Sequence, residues 1–287
     1  MRTAVVTGVS SGIGRAVAEQ LVAEGWHVFG SVRKPGGDEG LSAGLGGRFT
    51  PLVFDVRDAE AVAAAAGQVS QALDGRTLTA LVNNAGLANF GPLALQPIAD
   101  WQAQIDVNLV GTLRVVQAFL PLLGADPARS GQPGRIVNVS SVSGSMTLPF
   151  VSGYAASKHG LEALSDAMRS ELAIYGIKTI VIQPGPVQTP IWRKVHRPED
   201  GLYAGSDYGA LFEAFKSAFI AAGRNAHVPE SFAKLIYKAL TARNPKSRYA
   251  RVRGRFLNWT LPSLLPARLL DRLLIEKFGL SDQRYVA

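Results

Sequence analysis

The chain of 287 residues contains no cysteine, which excludes disulfides, thiolate metal sites and cysteine nucleophiles together. Charge is sparse, at 18% against 47% apolar residues. That balance suits a chain that buries a large core rather than one that stays disordered. No apolar run reaches the roughly 18 residues that a membrane span needs. No basic stretch with an apolar segment precedes the strand pattern at Thr3 to Thr7, so a cytoplasmic protein is expected. Low-complexity linkers and internal repeats are also missing, which favours one domain. Acidic side chains are scarce toward the end: residues 241–287 hold ten Lys or Arg against Asp271, Glu276 and Asp282, a net +7 of the chain's +8. No nucleic-acid module or cluster of stacking aromatics accompanies this basic tail, so no nucleic-acid partner is expected.

What is present is an alternation of short β-branched runs with Ala- and Leu-rich segments of helical period, the pattern of repeated βαβ units. Strands are expected at Ala4–Thr7, His27–Val32, Pro51–Phe54, Leu78–Val82, Arg135–Val139, Lys178–Ile182 and Ser247–Val252. Helices are expected over about 13–24, 58–73, 100–123, 153–175, 210–222 and 229–241. The fold class is α/β: a Rossmann-type, doubly wound, seven-stranded parallel sheet in a single domain. The glycine-rich stretches Gly36–Gly47 and Ala125–Gly134 are expected to be surface loops.

Thr7-Gly8-Val9-Ser10-Ser11-Gly12-Ile13-Gly14 follows the first strand and opens the first helix. There a dinucleotide pyrophosphate can meet backbone N–H groups, which makes Gly8, Ser10, Ser11, Gly12, Ile13 and Gly14 candidate cofactor contacts. Gly8 lets the chain reverse, Gly12 removes a side chain from the path of the phosphate, and Gly14 permits close packing of the helix. A purely steric turn would use the same glycines. After the second strand stands Ser31-Val32-Arg33-Lys34, without the carboxylate that NAD-dependent folds place against the ribose hydroxyls. Arg33 suits a 2′-phosphate, so NADP(H) is favoured over NAD(H), the alternative being a solvated basic pair.

Tyr154 and Lys158 are four residues apart on an expected helix and share a face. Hydride exchange between an alcohol carbon and a nicotinamide needs a group that gives or takes the hydroxyl proton near neutral pH. A lysine cation, with the oxidised nicotinamide, is expected to lower the Tyr154 pKa from about 10, and Lys158 is expected to bond the nicotinamide ribose as well. Ile136 to Ser141 is a strand ending in hydroxyls at the carboxyl edge of the sheet, and Ser141 is placed to donate to a substrate oxygen. Ser140 and Ser143 are read as turn or packing residues.

Together these motifs, over roughly residues 3–190, resemble the short-chain dehydrogenase/reductase family, closest in character to its steroid- and retinol-dehydrogenase-like members. The spacing of Gly8, Gly12 and Gly14 behind Thr7 matches its glycine loop, and Ser141 stands 13 residues before Tyr154, as in the family. The resemblance implies further roles. Asp55-Val56 matches the adenine contact. Asn83-Asn84-Ala85-Gly86 matches the N-N-A-G turn beside the adenosine half, with Asn83, Ala85 and Gly86 as its contacts. Asn108 matches the asparagine that holds a water for proton relay to the lysine. Pro184-Gly185-Pro186-Val187-Gln188-Thr189 matches the P-G-x-x-x-T segment, where the Val187 backbone and the Thr189 hydroxyl bind the carboxamide. A lone Asn or a proline turn would equally serve as a cap or a rigid corner. The family also implies a homodimer or homotetramer.

On the family's plan, residues 1–190 form the cofactor-binding and catalytic core and 191–228 the substrate-binding lid, while 254–287 form a basic amphipathic C-terminal extension. The lid collects Trp192, Tyr203, Tyr208, Leu211, Phe212, Phe215 and Phe219, joined by Met146, Leu148, Phe150 and Val151. They line an apolar cleft for a small lipophilic carbonyl or alcohol substrate, or they are ordinary helix packing. In the extension, Arg268, Arg272 and Lys277 interleave with Leu269, Leu270, Leu273, Leu274, Ile275 and Phe278. Such a helix lies peripherally on an anionic membrane, or packs on the body or across a dimer. The expected activity is that of an NADP(H)-dependent oxidoreductase, with Asn108, Ser141, Tyr154 and Lys158 as its catalytic set and no metal. The rivals are a non-catalytic NADP-binding scaffold or redox sensor, opposed by the retained Ser141, Tyr154 and Lys158, and an epimerase or dehydratase, opposed by the glycine spacing.

Overall fold

The computed structural model describes residues 1–38, 40–189, 202–224, 226–254 and 256–281. Seven strands form one sheet: β1 (Thr3–Val6), β2 (His27–Val32), β3 (Phe49–Val53), β4 (Ala80–Asn83), β5 (Arg135–Val139), β6 (Lys178–Pro184) and β7 (Arg248–Arg251). Their order is β3-β2-β1-β4-β5-β6-β7 and every pairing is parallel. β1 and β4 are buried at every position, as strands covered on both faces must be, and apart from Thr3 and Asn83 their residues are apolar.

Alternate residues of the strands feed two cores. Ala4 and Val6 face one side, where α1 (Gly12–Ala23) and α8 (Pro229–Thr241) supply Val17, Leu21, Phe232 and Ile236. Val5 faces the other, where α3 (Ala59–Leu73), α5 (Gly111–Phe119) and α6 (Ser152–Glu171) supply Val62, Val69, Val115, Phe119 and Met168. The helix ends follow local chemistry. Asp58 accepts from the Ala61 amide to start α3, which stops at Asp74 in the left-handed region. Pro229 opens α8.

Three elements depart from expectation. The stretch 36–47 is not simply loop: α2 (Leu41–Leu45) and a 3₁₀ turn form within it. The Asp38 carboxylate takes both the amide and the hydroxyl of Ser42, and Leu41 is buried. The helix expected over 100–123 begins earlier, as α4 (Ile98–Ile105), and is interrupted by a π-helical turn, Asp106–Val110, before α5. β3 begins two residues before its expected start and tolerates Pro51 because it is an edge strand.

Between β6 and β7, α7 (Gly209–Arg224) precedes α8, and after β7 come α9 (Leu261–Leu264) and α10 (Ala267–Phe278). A third apolar cluster lies over the carboxyl edge near α6. It joins Phe150, Val151 and Ala155 to Tyr203, Phe212 and Phe215, with Phe278 and Leu280 packed against it.

Candidate active site

The strand order reverses between β1 and β4, so their carboxyl ends part and leave a crevice, the ligand position of open α/β sheets. The glycine loop fills one wall of it. Gly8 and Gly12 have φ of +72° and +61°, conformations that side chains disfavour. A Cβ on Gly14 would stand 2.3 Å from the Gly8 carbonyl oxygen, and one on Gly12 would stand 3.0 Å from Thr189 Cγ2. Glycine is therefore required here by the chain's own packing as well as by any phosphate.

The loop is pinned from both sides. The Gly8 amide donates to Ser31 Oγ (3.0 Å), and Asn84 Nδ2 donates to the Thr7 and Gly8 carbonyls (3.0 and 3.1 Å). Thr7 Oγ1 accepts the amides of Asn84 and Ala85 (2.9 and 3.0 Å). Ser11, at the start of α1, makes no side-chain cap, so the first amides of the helix stay available beside Ser10 and Ile13. This cradle, open only while Gly8, Gly12 and Gly14 lack side chains, fits a dinucleotide pyrophosphate. Thr189 touches it from the loop after β6, whose Gly185 amide is held by the Arg251 carbonyl (3.0 Å) and whose Val187 bridges to His227.

At the far end, Arg33 and Lys34 are exposed after β2. The Asp55 carboxylate is gripped by Arg57 (Nη2 to Oδ2, 2.8 Å), and hydrogen bonds from Arg57 hold its pKa down, with a smaller contribution from the charge of Arg33. Val56 is buried beside it. The structure turns the Asn83 side chain into the sheet, where Nδ2 donates to Asn138 Oδ1 at 2.9 Å. Asn84, Ala85 and Gly86 are the members of that turn that meet the crevice.

Ser141, Tyr154 and Lys158, the candidate reacting groups, converge at the end of β5. Lys158 is 4% exposed, and its Nζ donates to the Val139 carbonyl (2.9 Å) and lies 5.8 Å from the centre of the Tyr154 ring. A Cβ on Gly86 would sit 3.9 Å from Lys158 Nζ and 3.4 Å from Asn108 Oδ1, so these three residues share one pocket wall. Ser141 caps the next turn by accepting the Ser143 amide (3.1 Å). Ser140 Oγ is buried without a partner.

Loss of water pulls the Lys158 pKa down to about 8, opposed by the charge of Glu162 one turn along α6. The lowering of Tyr154 expected from Lys158 is not what the chain alone produces. Burial pushes Tyr154 up, and the counterweight is a hydrogen bond with Ser141. Glu162 is itself held by Gln183 (3.1 Å) and Arg248 (2.9 Å), which ties α6 to β6 and β7.

Asn108 is fully buried in the π turn. Its Oδ1 accepts the Leu87 amide (2.7 Å), and its Nδ2 donates to the Leu87 carbonyl (2.8 Å) and to Ser157 Oγ (2.9 Å). Both donor hydrogens are therefore committed to protein, and the side chain locks the loop after β4 onto α6. The π turn is what points it there, an irregularity often found at functional sites.

Above Tyr154 stands an aromatic wall. Phe90 meets the Tyr154 ring edge-on at 6.4 Å and also packs on Phe215 (6.3 Å) and Phe219 (4.9 Å). Phe150, with φ of +67°, packs on Tyr208, Phe212 and Phe215. Sequence reasoning placed Phe150 and the α7 aromatics in this region but missed Phe90, Phe278 and Ser157. It also passed over Lys216, buried over Phe212 and ion-paired to Glu213. Phe90 had one signal, an apolar loop four residues past Gly86; a lysine inside a helix had none. Trp192 lies outside the described residues. Among the described residues no group of side chains could hold a metal ion.

Comparison with known proteins shows the family and the fold. The model of the family described as short chain dehydrogenase matches residues 2–200. The chain is 38% identical to the NADPH-dependent 3-dehydrocapnine reductase of Ornithobacterium rhinotracheale, over 95% of this chain and 96% of that protein. It is 32% identical to human retinol dehydrogenase 5, over 94% of this chain and 86% of that one. A short chain dehydrogenase/reductase from Burkholderia phymatum, crystallised in complex with NAD, superposes with a TM-score of 0.77 at 25% identity, over 91% of this chain and 92% of the other.

Proposed function

We propose, because this chain belongs to the short-chain dehydrogenase family, that as an oxidoreductase it interconverts a lipophilic secondary or primary alcohol with its ketone or aldehyde, using NADP(H). The observation that carries this reading is the meeting of Ser141, Tyr154 and Lys158 at the carboxyl end of β5, next to the glycine cradle and beneath the aromatic wall.

The glycine loop from Gly8 to Gly14, with Ser10, Ser11 and Ile13, would hold the pyrophosphate. Asp55, Val56, Ala85 and Gly86 would border the adenosine half, and Pro184, Gly185, Val187 and Thr189 the carboxamide end. The nicotinamide supplies or accepts the hydride when bound. In reduction, the Tyr154 hydroxyl gives its proton to the carbonyl oxygen, and the Ser141 hydroxyl donates to that oxygen as charge develops on it. Lys158, charged and short of water, would stabilise the tyrosinate left behind and would hold a ribose hydroxyl of the bound cofactor. Asn108 holds the wall from which proton return to Lys158 would run, its own side chain being committed to Leu87 and Ser157.

NADP(H) is favoured because the end of β2 offers Arg33 and Lys34 and no carboxylate. The Ornithobacterium relative is named for NADPH, whereas the Burkholderia neighbour holds NAD, so the basic pair decides the reading rather than the fold. A lipophilic substrate is supported by Phe90, Phe150, Phe215 and Phe219 about the tyrosine, with α7 as the lid. Assembly as a homodimer or homotetramer completes the reading and is measured by sedimentation.

The test is NADPH oxidation by the purified chain against a panel of lipophilic ketones and aldehydes. Tyr154→Phe is expected to lower turnover by about 10²–10⁴-fold while NADPH still binds by fluorescence titration. Near-normal turnover in that variant would overturn the assignment.

A further inference from the structure

Glu162 of α6 is a buried carboxylate with no part in the proton transfer from Tyr154. It stands one turn after Lys158, and its two oxygens are held from two strands. Gln183 Nε2 of β6 donates to Oε1 (3.1 Å), and Arg248 Nε of β7 donates to Oε2 (2.9 Å). The same Gln183 amide donates to Ser145 Oγ (3.1 Å), at the end of the turn Val142–Gly144 that Ser141 caps. A Cβ on Gly144 would stand 2.9 Å from Glu162 Cγ and 3.0 Å from the Lys158 carbonyl oxygen, so the turn lies directly on this stretch of α6. A neutral residue could brace these elements without the cost of burying a charge, so the charge itself asks for a role.

Charges alternate in sign outward from Lys158. Glu162, Asp166 and Arg169 follow it along one face of α6, and Arg248 enters between the two carboxylates. Its Nη2 lies 2.6 Å from Asp166 Oδ1, which Arg169 Nη2 meets at 2.7 Å. The file runs from a lysine 4% exposed to side chains about a third or more exposed. Arg248 and Arg169 therefore act on Lys158 from beyond Glu162 and partly through water, whereas the carboxylate acts from one helical turn away in a dry setting. The other groups about Lys158 do not compete. Gly86 and Asn108 on the facing wall are uncharged, and Tyr154 keeps its proton. Asp106 of the π turn acts on Arg57, Asp100 of α4 meets Asn89, and His159 is exposed.

We propose that Glu162 is a positioning residue for the proton chemistry: it sets a buried negative charge beside Lys158 and, through Gln183, ties that charge to the turn carrying Ser141, while Arg248 fixes its place from β7. Lys158 gives up water to reach the Val139 carbonyl, and the carboxylate one turn away offsets part of that loss and keeps the ammonium charged. The effect on turnover rests on the roles proposed above for Lys158 and Tyr154; the effect on the charge of Lys158 does not.

The experiment is an NMR titration of the full chain labelled with carbon-13 at the lysine Cε, the Lys158 resonance being identified by its loss in Lys158→Arg. Its midpoint is expected near pH 8 in the native chain. In Glu162→Gln, which keeps the size and the acceptor for Gln183 but not the charge, the midpoint should fall by about one pH unit. Arg248→Gln removes the outer cation and leaves the carboxylate less compensated, so there the midpoint should rise. Opposite movements from the two halves of one ion pair are not what a loss of packing produces. With NADPH and a lipophilic ketone, the alkaline fall of kcat/KM should move in the same order. An unmoved midpoint in Glu162→Gln would overturn the proposal, as would movement of both variants in one direction. Where Glu162→Gln does not fold, a midpoint that is unmoved or lowered in Arg248→Gln overturns it alone. The titration is read without turnover, so midpoints that move as expected in a chain that reduces no carbonyl would count against the proposed activity alone.

Discussion

Lys158 reaches its carbonyl partner only by giving up water, and the consequence is a pKa near 8 rather than the usual lysine value. Tyr154, pushed upward, keeps its proton through the same interval. In the reductive direction Tyr154 must start protonated and Lys158 charged, so kcat/KM should fall as pH rises through about 8. In Lys158→Arg, whose guanidinium stays charged there, that fall should vanish from whatever activity remains. A profile flat from neutral to strongly alkaline pH would contradict the assignment. Gly14 makes a second prediction. A Cβ at 2.3 Å from the Gly8 carbonyl must move backbone, so Gly14→Ala should weaken NADPH binding at least ~10-fold and lower stability by about 1–3 kcal/mol, measured by titration and denaturant melts. The places of Gly14, Tyr154 and Lys158 were legible in the sequence, Gly14 from its spacing to Gly8 and Gly12 and the other two from their four-residue spacing on α6. Phe90 was not, since its contact with Tyr154 joins residues 64 positions apart through a loop whose path no local pattern states.

Among the elements, the π turn at Asp106–Val110 shows where periodicity stops being informative. Apolar spacing through 100–123 reads as continuous helix, and the demands of a buried asparagine on Leu87 and Ser157 explain the interruption. Asn108→Leu, of similar size but without donors or acceptors, leaves the Leu87 amide and carbonyl unpaired. With each orphaned buried group costing about 1–3 kcal/mol, the variant should be destabilised by roughly 2–6 kcal/mol, and hydrogen exchange at Leu87 should accelerate. Unchanged exchange there would show that the loop is held by something else. α2 carries the same lesson in smaller form. Its glycines point to loop, and what they hide is Asp38, whose carboxylate collects two donors from Ser42 and starts a turn of helix. Such capping is visible only when the acceptor and the buried Leu41 are seen together.

At the scale of the whole molecule, the doubly wound sheet was readable from the alternation of short apolar strands with helical segments, because β1 and β4, apolar but for Thr3 and Asn83, suit strands covered on both faces. The attachment of α10 to the aromatic cluster was not, since amphipathic spacing does not say what a helix meets. Cofactor binding should register on the entire fold. NADPH at about 100 times its dissociation constant contributes about 2.7 kcal/mol, and should raise the melting temperature by roughly 5 °C or more. NADH at the same concentration should raise it less, and Arg33→Ala should narrow the gap. Equal shifts from the two cofactors in the native chain would remove Arg33 as the discriminator.

The reversal of strand order between β1 and β4 has a consequence for how such a protein can change over time. Arg33, the residue that would choose between cofactors, follows β2 on one side of the divide; Ser141, Tyr154 and Lys158 hang from β5 and α6 on the other. With the two sets on opposite sides of the divide, a substitution at the end of β2 need ask for no repair at the end of β5. If Arg33 chooses the cofactor and Tyr154 moves the proton, cofactor choice and proton chemistry are separately mutable, and a descendant of this chain could exchange one while inheriting the other intact.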